Sequence, residues 1–555
     1  MDTCLEQKIP IQLPVWQPYS RAPKIPGFTD ITSITPILQT FLSKPVETEG
    51  QLKANEYFGR VVEFSGSGGS CVIETVARKK RKVYCKVTHI LDPIRTMQGY
   101  YNKELKGEGR KEKKIKNSMN QAYVDALANY LVGQLRERNI SPHFCLYYGG
   151  FQGIAEKYRY SITDDFETYR KYRGFWEKRK AGYFKLVVEQ KDEDGEDIPI
   201  DEEIEEYVCH TPKSSLQSHT FTYSSSGSTR SSHISIKEDL GGESTEGVKV
   251  ELESIVSLES EGLPELEETE TAEEEETEEE ESEEGWDIDI FAEFENYPTM
   301  LIFQEEHEGV MDDLLEGEEK DDDDWETRWT AWTFQIIAAL SAAQAVLGFT
   351  HNDLHTNNIV WEETDQSWIF YKDRAGDIWR IPTFGKIFRI IDFGRAIFRV
   401  GDKWFISDDY EEGGDAEGQY NFGPIEKKEK ATVYPNPSFD LCRYAVSVIE
   451  TLFPERPEAK VDGLLLSKEG EWEVRETDHP LFNLLWSWLI DDEGNNVLHD
   501  EDYTERFPDF DLYSHISCHV FSAKPQEQIT KDIFKKFKVK ASEIGDWETI
   551  YPLFC

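Results

Sequence analysis

Between residues 190 and 287 the chain cannot build a core of its own. A Ser- and Thr-rich tract (214–235) is followed by a run, 267–284, that is almost entirely Glu and Thr. Such a composition buries too little apolar surface to offset the entropy of ordering the backbone, so this segment is expected to be disordered. Whatever folds must then be assembled from two pieces distant in sequence, about 55–189 and 288–555. The run also dominates the electrostatics: 109 acidic against 61 basic residues leave a net charge of −48 in 555 residues. That balance repels nucleic-acid phosphates and anionic lipid, so neither direct nucleic-acid binding nor membrane association is expected. Lys79-Lys80-Arg81-Lys82 and Arg110-Lys111-Glu112-Lys113-Lys114 are local basic exceptions.

The eight cysteines are far apart, with no C-x-x-C pair and no zinc spacing, which reads as free thiols in a reducing compartment. The N-terminus lacks the basic-then-apolar order of a signal peptide, and no stretch reaches the roughly 18 apolar residues of a membrane span. The expectation is an intracellular monomer.

Residues 1–54, rich in Pro and Thr, suggest an extended arm. Short strands follow at 61–64, 71–77 and 83–87 around a glycine cluster. Apolar residues Tyr123, Leu127, Tyr130, Leu131 and Leu135 recur at helical steps within 120–138, so one face of that helix is buried. Further strands are expected at 144–151 and 300–303, and the aromatic stretch 165–189 should be ordered. Residues 325–347 read as a long helix apolar on most sides, hence a core helix. A hairpin (368–371 with 378–381), a strand (387–391), an acidic irregular stretch (402–437) and helices at 439–452 and 481–490 complete the pattern.

The chemistry is concentrated in His351-Asn352-Asp353-Leu354-His355-Thr356-Asn357-Asn358, followed after an apolar strand by Asp392-Phe393-Gly394. An Asp, an Asn five residues later and a second Asp before Phe-Gly supply one general base and two oxygen ligands for Mg²⁺. Phosphoryl transfer from ATP needs this set. The order resembles the catalytic loop and D-F-G of the protein-kinase family. In D-L-H-x-x-N it is similar to haspin-like kinases, and in its large acidic insertion to the serine/threonine kinase-like proteins of large DNA viruses. The likeness covers about 57–165 and 295–450.

The resemblance implies an α+β, two-lobed kinase-like fold, with a small antiparallel-sheet N-lobe and a mainly helical C-lobe. Its parts would be the arm (1–54), the N-lobe's first part (55–189), the insertion (190–287), the last strand and hinge (288–316) and the C-lobe (317–555). It further implies ATP and Mg²⁺ as cofactors and transfer to Ser/Thr hydroxyls of protein substrates, basic ones among them. The location would be cytoplasm or nucleus, or a host cell or virion for a viral chain. Asp353 would orient the acceptor hydroxyl, Asn358 and Asp392 would hold the metal, and Lys86 the phosphates. Gly66-Ser67-Gly68-Gly69 resembles the glycine-rich roof, with Cys71 in place of its third glycine. Phe303 falls at the gatekeeper position, and the backbone of Gln304, Glu305 and Glu306 would hold adenine. Asp125 is the best-placed helical acid for Lys86, with Glu104 and Glu112 upstream as alternatives, and Asp440 resembles the buried Asp that braces the catalytic loop.

Several positions depart from the family. Asn352 replaces the Arg that reads a loop phosphate, which argues against switching by phosphorylation. His355 replaces a Lys, and a protonated imidazole would be its substitute. No A-P-E follows D-F-G, so the acceptor platform differs. Two rivals stand beside the protein-kinase reading: a choline- or aminoglycoside-type phosphotransferase, and a pseudokinase scaffold recruiting basic partners through the acidic insertion.

Overall fold

The computed structural model describes residues 24–34, 60–64, 68–75, 78–102, 109–190, 198–200, 202–210, 288–317, 324–401, 403–411, 414, 416, 435–466, 473–499, 505–507, 510–545 and 548–554. The fold is mixed α and β, with a curled antiparallel sheet packed on helices. The sheet runs β1 (Phe28–Ser33), β5 (Tyr147–Ser161), β7 (Asp289–Glu305), β4 (Lys80–His89), β3 (Gly69–Glu74), β2 (Arg60–Glu63). In β4, alternation turns Val83, Cys85 and Val87 to one face and Tyr84 and Lys86 to the other.

The long strand β7 serves two partners on one edge. Its C-terminal half pairs with β4, and its N-terminal half with β6 (Lys185–Glu189), while β5 runs along nearly all of it. The strands expected at 144–151 and 300–303 are therefore the ends of much longer ones. Part of the N-terminal arm is β1, an edge strand of the same sheet. Residues 1–23 and 35–54 of the arm, and both low-complexity tracts, lie outside the described residues.

The outer face of the sheet carries its own core. Val83, Cys85, Leu301 and Phe303 pack there with Phe166, Tyr169, Phe175, Trp176 and Phe184 of the aromatic segment. A helix at Glu202–Cys209 adds Ile204 and Val208 to this cluster, so ordered structure extends past residue 190 into the stretch expected to be disordered. Tyr207 and Cys209 pack against the same cluster, and the acidic average of the surroundings hides this apolar face.

Against the other face lie helices α1 (Arg110–Lys116) and α2 (Gln121–Glu137). Asn120 caps α2 by accepting the Ala122 N–H (3.0 Å), and residues 121–135 are all buried. Helix α3 (Trp325–Leu347) packs on α2 and ends at Gly348, whose φ of 60° suits a residue without Cβ. By length and mean hydropathy (1.4) α3 does reach the threshold for a membrane span, contrary to the expectation that no stretch would. Yet 89% of that window is buried inside the protein, as its all-round apolarity predicts for a core helix.

Beyond α3, β8 (Gly309–Val310), β9 (Ile359–Glu363) and β12 (Lys386–Ile390) form a small sheet. β10 (Trp368–Lys372) and β11 (Ile378–Pro382) form the expected hairpin. The hairpin is not isolated: strands Lys538–Val539 and Ile550–Pro552 flank it. The stretch expected to be irregular includes strand Lys403–Phe405, paired with Phe398–Val400, and a turn at Asp408–Tyr410. Helices α4 (Phe439–Leu452), Pro480–Trp488 and α5 (Phe510–His519) finish the body.

Two core histidines make stability sensitive to acid. Burial lowers His89 to about 4 and His143 to about 3. His143 is held between the Phe388 carbonyl (2.8 Å) and the Tyr371 hydroxyl (2.5 Å). Because these folded-state values lie below the unfolded value, the unfolded chain binds more protons in between. Stability from the neutral rings is complete above about pH 6.5 and is lost as pH falls from there. Each ring should steepen the decline by up to about 1.4 kcal/mol per pH unit. Urea titrations between pH 7 and 4.5 should show a shallower decline for His143→Gln than for the unmodified chain; equal slopes would contradict the assignment.

Candidate active site

Three elements converge on one ammonium group. Lys86 projects from β4 toward α2 and the loop after β12, where its Nζ lies 3.0 Å from Asp125 Oδ2 and 2.8 Å from Asp392 Oδ1. Asp125 reaches despite its short side chain because α2 is packed directly beneath the sheet. Its other oxygen accepts the Phe393 N–H (3.0 Å) and the Asn129 amide (2.8 Å). One carboxylate thus ties both the lysine and the backbone of Asp392-Phe393 to the helix.

One cation facing two carboxylates leaves the trio with a negative excess. Burial pushes Asp392 up, but Lys86 more than reverses this and holds it below the usual carboxylate range. Asp125 is pushed up by burial, only partly relieved by Lys86, and the charge on Asp392 adds to the rise. Asp392 sits in the left-handed region (φ 61°), a conformation that costs a non-glycine residue of order 1 kcal/mol or more. The hydrogen bond from Phe393 to Asp125 offsets part of that cost.

The loop carrying Asp353 and Asn358 is fixed from below by Asp440 in the first turn of α4. The His351 N–H donates to both Asp440 oxygens (3.0 and 2.9 Å), and the Asn352 N–H to one (2.9 Å). His351 Nε2 meets the Ile391 carbonyl (2.8 Å), Thr350 and Ile397 exchange backbone hydrogen bonds, and the Ile391 N–H donates to the Asn358 carbonyl (3.0 Å). The loop and the Asp392 segment therefore behave as one unit.

Both oxygens of Asp353 are engaged, Oδ2 by Arg395 (3.4 Å) and Oδ1 by the Tyr513 hydroxyl (3.3 Å). Burial raises this carboxyl, yet Arg395, His355, Arg443 and His351 together hold it below its ordinary value. Asp353 is thus an ionised, weakly basic carboxylate. Asn358 spends its amide nitrogen on the Asp353 carbonyl (2.9 Å) and on His355 Nε2 (3.1 Å), which leaves its side-chain oxygen as the acceptor. The donor set of Asn358 and Asp392 fits a hard cation shared with phosphate oxygens better than a protein-only cage, and no cluster of three or more His, Cys, Asp or Glu suited to a metal occurs among the described residues.

Three expectations change. His355 is no cation: burial takes it down to about 4, outweighing the nearby Asp353, so its neutral ring orients Asn358 instead. Phe303 is not on the lysine's face. Lys86 pairs directly with Ile302, and Phe303 turns into the outer aromatic core, so Ile302 holds the position expected for Phe303. Gln304 and Glu305 still belong to the ladder, with the Glu305 N–H given to the Leu146 carbonyl (3.0 Å), and the chain leaves the strand only at Glu306.

Gly66 and Ser67 lie outside the described residues. Gly68 and Gly69 both have positive φ (110° and 83°). A Cβ at Gly68 would stand 3.1 Å from the Cys85 carbonyl and from Val87, so the backbone passes close over the strand that bears Lys86.

Tyr513, Arg395 and Arg443 were not singled out from the sequence as site residues. Arg443 lies three residues after Asp440 on α4, a spacing that faces the same loop, and its Nε donates to the Tyr513 hydroxyl (2.9 Å). Tyr513, 160 residues from Asp353, carries no local signal. No known protein family's model matches this chain, and no curated protein matches it.

Removing the Asp440 carboxylate strips two buried N–H groups of their acceptor. Asp440→Ala should lower unfolding free energy by about 2–4 kcal/mol, measured by chemical denaturation. A loss below about 0.5 kcal/mol would show that the loop does not depend on it.

Proposed function

We propose that the chain is a divergent kinase-like phosphotransferase that moves the γ-phosphoryl group of Mg²⁺–ATP to a Ser or Thr hydroxyl of a protein, on a two-lobed kinase-like fold. The observation that carries this reading is the sharing of Lys86 between Asp125 and Asp392, with Asp353 and Asn358 on the loop bound to the Asp392 segment. The sheet order β2-β3-β4-β7-β5, with the glycine turn before the lysine strand, also supports it.

In this reading Asp392 and Asn358 hold Mg²⁺, which when bound neutralises charge on the β- and γ-phosphates. Lys86 positions the phosphates, and Gly68 and Gly69 let backbone N–H groups approach them. The acceptor oxygen attacks γ-phosphorus as the bond to the β-phosphate oxygen breaks, leaving ADP. Asp353 orients the hydroxyl and takes its proton. Its depressed basicity suits a transfer in which the proton leaves late, and most of the work is positioning and charge stabilisation.

Incubation with labelled ATP, Mg²⁺ and a panel of casein, histone and amino-alcohol or aminoglycoside acceptors tests this. Label should enter protein, and Asp392→Ala should reduce it at least about 10²–10³-fold. Label in small acceptors alone would shift the reading to a small-molecule phosphotransferase, and ATP binding with no transfer to a scaffold.

A further inference from the structure

The helix that carries Asp125 is tied to the segment after Asp392 by one carboxylate outside the site described above. Asp408 Oδ1 accepts from Lys114 Nζ (2.8 Å) on α1 and from the N–H of Gln121 (3.0 Å), the first residue of α2. Its Oδ2 accepts from the Asn117 amide (2.8 Å) in the connection between the two helices. The Asp408 N–H in turn donates to the Met119 carbonyl (2.6 Å). The Asp408 side chain is 4% exposed and that of Lys114 20%.

A charge this deeply placed is costly unless it is paired and hydrogen-bonded, and here every one of these contacts falls on α1, on the first residue of α2 or on the connection between them. The other end of the same segment is equally held. The Tyr410 hydroxyl (2.8 Å) and the Asn352 amide (2.9 Å) both donate to the Arg395 carbonyl, and the Arg395 guanidinium reaches Asp353. Polar ties thus join α2 to Asp408 and, two residues along the chain, Tyr410 to the Arg395 carbonyl that the loop of Asp353 also contacts.

We propose that Asp408 is a positioning residue, a built-in anionic clamp that holds α2, and with it Asp125, against Lys86 and Asp392 without covalent modification of the segment. This deepens the phosphotransferase reading and rests on it for its catalytic consequence. The anion that organises the segment comes with the sequence, and Asn352, in direct contact with the segment through Arg395, needs no charge to read it. The enzyme is accordingly active as synthesised.

The test uses the full chain. Asp408→Asn removes the charge, Asp408→Glu keeps it, and Lys114→Met removes its partner. Hydrogen exchange followed by mass spectrometry should show residues 117–125 exchanging at least about tenfold faster in Asp408→Asn than in the unmodified chain, with protection of α3 unchanged. The turnover number should fall at least about tenfold with acceptor KM within about twofold, Asp408→Glu should recover most of it, and Lys114→Met should resemble Asp408→Asn. Phosphatase treatment of the purified protein should leave turnover intact. Unchanged exchange in both Asp408→Asn and Lys114→Met would overturn the clamp, as would loss of turnover on phosphatase treatment. If Asp408→Asn fails to fold, the exchange pattern of Lys114→Met decides. If the unmodified chain transfers no phosphate, the function reading fails, while the exchange comparison still decides whether Asp408 holds α2.

Discussion

A single ammonium shared by two carboxylates from different elements sets the terms for the rest of the fold. Lys86 can meet Asp125 and Asp392 together only if the sheet curls over α2 and the loop after β12 rises to the same point. Because Asp is one methylene shorter than Glu, the helix must lie close, and the apolar face of α2 between the sheet and α3 brings it there. The packing is hydrophobic in origin, but its precision is read out in two distances near 3 Å.

Around this point the polar contacts form one seam. Asp440 holds the backbone of His351 and Asn352, Asp125 that of Phe393, and Asp408 that of Gln121. Each is a buried carboxylate that accepts at least one backbone N–H, a charge-assisted bond that ties one element's main chain to another's side chain. The outer aromatic core does complementary work on the far side of the sheet. It locks β4 and β7 in the register that faces Lys86 and Ile302 inward and Phe303 outward.

Much of this was legible in the sequence. Helical periodicity found α2 and α3, the Asp353, Asn358 and Asp392 pattern singled out two loops that the fold ties together, and the family resemblance pointed to Asp440 as the brace of the first of them. Asp125 was the best-placed acid on its helix, with Glu104 and Glu112 upstream as alternatives, and the structure decides for Asp125. Phe303 was misplaced because period-two alternation shows which residues share a face but not which face meets the lysine. The apolar face of the Glu202–Cys209 helix was lost in an acidic average. The neutrality of His355 depends on how deeply the loop is covered, which spacing does not reveal. Tyr513 and Asp408 reach their partners across 160 and 287 residues, and no local pattern encodes such a meeting.

What the sequence by itself determined was the inventory: which side chains can ionise, which segments must bury a face, and which polar residues, Asp353, Asn358 and Asp392, fall on adjoining loops. These follow from covalent order and local periodicity. Only the tertiary structure decided which ionisable groups share a partner, which stay charged, and which strand face looks into the site. Those outcomes depend on burial and on distances of a few ångströms between elements far apart in the chain, where Coulomb and desolvation energies change steeply.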